Sequence, residues 1–119
     1  LHVDAYRSVL GGMRPEAREL MALGGEMLVH IDSLIEMLAE PKLSLARVRS
    51  VADTVDAMEA KADKIVAARE RELVEEFSKE GHPTLGFIAW HQLYHLLERM
   101  TDDANHCARQ VLSLARKEA

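Results

Sequence analysis

The 119 residues include one cysteine, Cys107, so no disulfide closes within the chain and no cysteine cluster holds zinc. Such sparing use of cysteine suits a reducing compartment, and the cytoplasm is the expected setting. Aromatic residues make up only 4% of the sequence, while aliphatic residues, Ala and Met are plentiful, a balance that disfavours sheets and favours helices. No apolar run approaches the roughly 18 residues of a membrane span, and no signal peptide is visible. Lys and Arg are scattered, and with 15 of them against 20 Asp and Glu the net charge is −5. A nucleic-acid-binding domain carries a basic stripe, so nucleic acid is not an expected partner. No low-complexity segment or linker divides the chain. The first residue is Leu rather than Met, which fits a fragment or a chain trimmed at its start.

What is present is helical periodicity. Residues 1–12, ending in Leu10-Gly11-Gly12, read as a lead-in stopped by the glycine pair. Residues 13–119 read as one domain. Pro15 suits a first helical turn, with Glu16 and Glu19 at the positive end of the dipole. Apolar residues then recur at three- and four-residue steps, from Ala17, Leu20 and Met21 through Met27, Leu28 and Ile31 to Leu34, Ile35 and Leu38. Gly24 falls on this stripe and predicts close approach of a neighbouring helix. Pro41 ends the helix at about Glu40. Ser44 is the expected cap of a second helix with its stripe on Val48, Val51, Val55, Met58, Ala62, Ile65, Val66, Leu73 and Phe77. At 1.5 Å per residue it extends about 50 Å, to about Lys79. Gly81, His82 and Pro83 turn the chain, and Thr84 caps a third helix. Its stripe includes Leu85, Ala89, Leu93, Leu96, Leu97, Met100, Ala104, Cys107, Ala108, Val111 and Ala115. The expected fold is all-α: an antiparallel up-down-up bundle of three long helices over residues 15–40, 44–79 and 84–117.

Two carboxylate pairs stand out. Glu59 and Asp63 are four residues apart, and so are Glu98 and Asp102. Each pair stacks like charges on one helix face, which weakens a helix unless something offsets it. On a helical wheel Glu59, Asp63, Asp56 and Glu70 fall on the shoulder of the apolar face, where a carboxylate is partly desolvated and needs a partner. Glu98 and Asp102 fall nearly opposite the apolar stripe, in a ridge with His91, His95 and His106, and periodicity alone reads that ridge as a solvated face. Asp32 and Glu36 form a reversed pair on the shoulder of the first helix, and with Asp56 they are further candidate metal ligands. The two principal pairs lie at similar heights, within about a turn, but periodicity does not fix their azimuths. They share ions, belong to two sites, or belong to none. Oxygen ligands suit Mg²⁺ or Ca²⁺; imidazole from His95 or His106 shifts the preference to Fe, Zn or Ni. No Glu has a His three residues on, so a buried di-iron centre is a poor fit. His91 and His95 have ligand spacing without the Glu of a zinc-protease motif.

The run Met58-Glu59-Ala60-Lys61-Ala62-Asp63-Lys64-Ile65 resembles the second-helix motif of PhoU-like phosphate-transport regulators. Residues 88–105, Ile88-Ala89-Trp90-His91-Gln92-Leu93-Tyr94-His95-Leu96-Leu97-Glu98-Arg99-Met100-Thr101-Asp102-Asp103-Ala104-Asn105, are similar to that family's final helix. The branch is the one associated with low-affinity Pit-type phosphate transporters. The match is close over 84–117, moderate over 44–79 and a matter of pattern alone in the first helix. The resemblance implies three-helix bundles carrying Glu/Asp-x-x-x-Asp motifs, which in some members hold metal clusters on the protein surface. Glu59, Asp63, Glu98 and Asp102 fit those motifs; His95 and His106 lie outside the general motif. It also implies a regulator or accessory of phosphate uptake rather than an enzyme, reaching the membrane through a transporter or signalling partner. Full members of the branch have two bundles. This chain resembles one, the C-terminal one, which makes a fragment or a self-pairing homo-oligomer the expectation.

Overall fold

A computed structural model describes residues 14–78 and 85–118. It contains three helices, α1 (Pro15–Ala39), α2 (Leu45–Ser78) and α3 (Leu85–Glu118). Each pair of helices packs together, with α2 and α3 sharing the most extensive interface. The contacts fix the directions. Arg14 at the start of α1 meets Glu76 near the end of α2 and lies over the Trp90 ring near the start of α3. At the other end Glu40 meets Arg47. The chain therefore runs up, down and up, as the periodicity predicts.

The helix limits follow local chemistry. Pro15 occupies the first turn of α1, where its missing N–H costs nothing. Glu40, extended ahead of Pro41, closes the helix by donating its N–H to Met37 O. Ser44 caps α2: its Oγ accepts from Arg47 N at 3.4 Å and its carbonyl from Val48 N at 3.1 Å. The lead-in at 1–12, the 81–83 turn and the Thr84 cap lie outside the described residues.

The expected stripe is buried or half-buried throughout α2 and over most of α1 and α3, with exposed exceptions on the flank of the seam. On α3 the inward residues are Trp90, Tyr94, Leu97, Thr101, Ala104, Ala108, Val111 and Ala115, alternating steps of four and three. Leu85 and Leu96, expected on the stripe, are 72% and 61% exposed. On α1 Met21, Leu28 and Ile35 are likewise exposed, while Leu23 and Met37 are buried. On α2 Val48, Ala52, Val55, Ala62, Val66 and Leu73 follow the same heptad, which passes through Glu59 and Arg69. Steps of four and three keep a narrow seam buried, so the apolar residues on the flank of a wider stripe face solvent.

The core divides in two. One cluster joins Met27–Met37, Val48–Val55 and Ala104–Ala115; the other joins Ala17–Leu23, Ala62–Leu73 and Trp90–Leu97. Between them lies the layer of Gly24, Glu59 and Thr101. Thr101, fully buried, satisfies its hydroxyl by donating to Glu98 O at 2.8 Å. Gly24 makes the close approach its position predicts, because a Cβ there would collide with the Met100 thioether end. Gly25 faces open space. Gly25→Ala is therefore expected to stabilise the protein by about 0.5–1 kcal/mol through helix propensity alone, measured by denaturant unfolding. Gly24→Ala is expected to gain less than Gly25→Ala, because Met100 must move.

Candidate metal centre

α2 and α3 run antiparallel with a register that repeats every seven residues. It produces three rungs of polar side chains along one side of their interface. In each rung one acid of α2 faces two α3 residues that are four apart. Asp56 faces Asn105 and Arg109; Glu70 faces His91 and His95. The rung between them, at the same offsets, sets Asp63 against Glu98 and Asp102. Asp56, Asp63 and Glu70 are thus one heptad apart, as are His91, Glu98 and Asn105, and His95, Asp102 and Arg109.

The first rung is neutralised by the protein itself. Arg109 and Asn105 both donate to Asp56 Oδ1, and those hydrogen bonds, that of Arg109 foremost, hold its carboxyl below the usual range. Asp56, a candidate ligand on sequence grounds, is instead an ion-pair partner.

The middle rung has no such cation. Carboxylate oxygens of Glu59, Asp63 and Asp102 converge within 4.8 Å of one another. No Lys or Arg among the described residues pairs with any of them or with Glu98. Asp63 Oδ1 is buried without a hydrogen-bond partner. Glu59 is half-buried in the layer between the two core clusters. Desolvation, followed by hydrogen bonds and charge repulsion from Asp63 and Asp102, raises its pKa from 4.5 to about 7. Glu98 is also half-buried and its pKa is raised, first by desolvation and then by the charges of Asp102 and Asp63.

This arrangement corrects the wheel. Glu98 and Asp102 do not lie opposite the core: the true seam of α3 runs through Thr101 and Asn105, directly beside them. Asp102 remains exposed, so the cluster opens to solvent on one side. The shoulder of α2 does face the ridge of α3, and the two motifs form a single cluster. A cation fits it. The donors are all oxygen, they converge from two helices, and a buried carboxylate oxygen lacks a partner.

The remaining candidates fall elsewhere. His95 turns toward Glu70, with Nε2 at 3.5 Å from Oε1, although its charge also bears on Glu98. His106 is exposed and hydrogen-bonds Gln110 at 3.2 Å, outside the converging carboxylates. Asp32 and Glu36 are exposed on α1 and join no group of converging donors among the described residues. Sequence reasoning missed the pairing of Glu70 with His91 and His95. The signal was there: Glu70 and Asp63 are one heptad apart, and so are His91 and Glu98.

Among the described residues no helix is long and apolar enough to cross a membrane. Compared with family models, curated proteins and solved structures, this chain finds no match.

Proposed function

We propose that this chain is a PhoU-like accessory or regulator of inorganic phosphate transport, not an enzyme, which binds a cation between α2 and α3. Glu59, Asp63 and Asp102 supply oxygens, with Glu98 completing the set. The observation that supports this reading is the convergence of the two Glu-x-x-x-Asp motifs into one cluster with no basic partner among the described residues and one orphaned oxygen, Asp63 Oδ1. Because no imidazole of the described residues converges on these oxygens, a hard cation such as Mg²⁺ is preferred over Zn or Ni, with Fe next through its oxygen-binding forms. The partner is a Pit-type phosphate transporter or a phosphate-signalling protein, met at the cytoplasmic face of the membrane. Phosphate uptake tests this in a strain carrying Asp63→Asn with Asp102→Asn in place of the native gene. Uptake altered as in a deletion supports the reading; normal uptake in both strains removes it.

A second reading, a structural helical module that self-associates, is favoured by one observation. Met21, Leu28 and Ile35 lie seven residues apart on α1 and are exposed, and Leu28 shares a surface groove with Leu96 of α3. An apolar row of this kind marks an interaction face. Leu28→Glu is expected to turn a dimer into a monomer in sedimentation. A wild-type protein that is already monomeric at the same concentration excludes this reading.

A further inference from the structure

The rung at the Gly86 end of the interface, Glu70 with His91 and His95, is chemically unlike the one beside it. Its donors are two imidazoles and a carboxylate. His91 Nδ1 lies 3.3 Å and His95 Nε2 3.5 Å from the same atom, Glu70 Oε1. Those separations are long for a charge-assisted hydrogen bond, which draws N and O to about 2.7–2.9 Å. They match the edge of a zinc coordination shell. Ligands at about 2.0–2.1 Å around a tetrahedral ion stand about 3.3 Å from one another. Glu70 Oε1 is buried and makes no hydrogen bond, so it is aimed between the two rings without being satisfied by either. Donor atoms of all three residues fall within 4.8 Å of one another.

The rings are held for this. His91 and His95 are one turn apart on α3 and meet edge to face, with centroids 4.4 Å apart and planes at 85°. His91 stacks on Phe87 at 5.8 Å and 6°, and Phe87 meets Phe77 of α2 edge-on at 6.2 Å. This aromatic packing fixes the ring plane that aims Nδ1 at Glu70. The outer side is open: the His91 and His95 side chains are 44% and 56% exposed, leaving room for water to complete the shell.

We infer that Glu70, His91 and His95 form a second metal site, separate from the central carboxylates, that takes a borderline transition-metal ion such as Zn²⁺ or Co²⁺. Two nitrogens and one oxygen suit those ions and not Mg²⁺ or Ca²⁺. Three protein ligands with an open position describe a site from which the ion exchanges. The site does not depend on the phosphate-transport reading, and the central cluster can fail as a cation site without affecting it.

The test uses the full chain without a histidine tag, stripped by chelator, titrated with Co²⁺ and then, once loaded, with Zn²⁺. Co²⁺ is expected to bind with visible d–d absorption more intense than that of the hexaaquo ion, and Zn²⁺ to displace it. His91→Ala and His95→Ala are each expected to weaken Zn²⁺ binding at least tenfold, since losing a ligand costs no less than losing an outer-shell partner, about tenfold or more. Asp63→Asn with Asp102→Asn is expected to leave the absorption and the affinity in place. No Co²⁺ or Zn²⁺ uptake by the wild type, or equal affinity in the folded His91→Ala/His95→Ala double variant, overturns the site and leaves the trio as an ion pair. Loss of the signal in the Asp63/Asp102 variant overturns its separateness.

Discussion

Asp102→Arg is expected to make the metal-free protein more stable. The geometry for this already exists one heptad away, where Arg109 donates to Asp56 from the same offset that Asp102 holds to Asp63. An arginine at 102 would bring a guanidinium to an orphaned buried oxygen, Asp63 Oδ1, and remove one charge from a repelling cluster. A hydrogen bond to a charged group contributes about 1.5–3 kcal/mol; discounted for the exposure of position 102, a gain of about 1–2 kcal/mol is expected. For a domain of this size that is a rise in melting temperature of roughly 5–10 °C. The substituted side chain would fill the place of the bound cation, so added Mg²⁺ should no longer raise the melting temperature. A variant that melts below the wild type in chelator would show that the wild-type carboxylates are not short of positive charge.

The second large effect is on pH dependence. Glu59 has a folded-state pKa of about 7 against an ordinary 4.5. The folded chain therefore binds this proton more tightly than the unfolded chain does. Between those values unfolding releases a proton, and stability falls as pH rises through the window. Below 4.5 both states hold the proton and nothing is lost; above 7 the loss is complete. Glu98, raised for the same reasons, acts in the same direction. Melting curves in chelator are thus expected to show the protein more stable at pH 5 than at pH 8, the reverse of a chain whose carboxylates are paired. Glu59→Gln removes the charge while keeping the shape, so it should raise the melting temperature at pH 8 and flatten the profile. Saturating Mg²⁺ should also flatten the wild-type profile, because a cation stabilises the ionised carboxylate directly.

The three helices were legible because their limits rest on local chemistry. Pro15, Pro41 and Ser44 act within a turn of themselves, and the ends they set, Pro15, Ala39 and Leu45, fall within a residue of the expected ones. The width of the stripes was less legible. Leu96 and Leu28 look like core by hydrophobicity, while Thr101 and Asn105 look like surface. Only the packing of three helices selects which side of each stripe is buried. That selection moved Glu98 and Asp102 from the expected solvent side to the edge of the core. The four principal carboxylates could be named from spacing, but their meeting could not, since spacing along each helix carries no azimuth between helices. The same limit hid Glu70 from His91 and His95, because its partners lie on another helix.

The most direct test of the central cluster is the melting temperature of the tag-free, chelator-stripped protein at pH 7.5, with and without Mg²⁺, beside the Asp63→Asn/Asp102→Asn variant. Binding to the folded state alone should stabilise the wild type by about 2.7 kcal/mol at a hundredfold excess over Kd. The variant should melt above the metal-free wild type and should not respond to Mg²⁺. A wild type that melts at the same temperature with and without the ion, or a variant that responds as fully as the wild type, would contradict a cation site between α2 and α3.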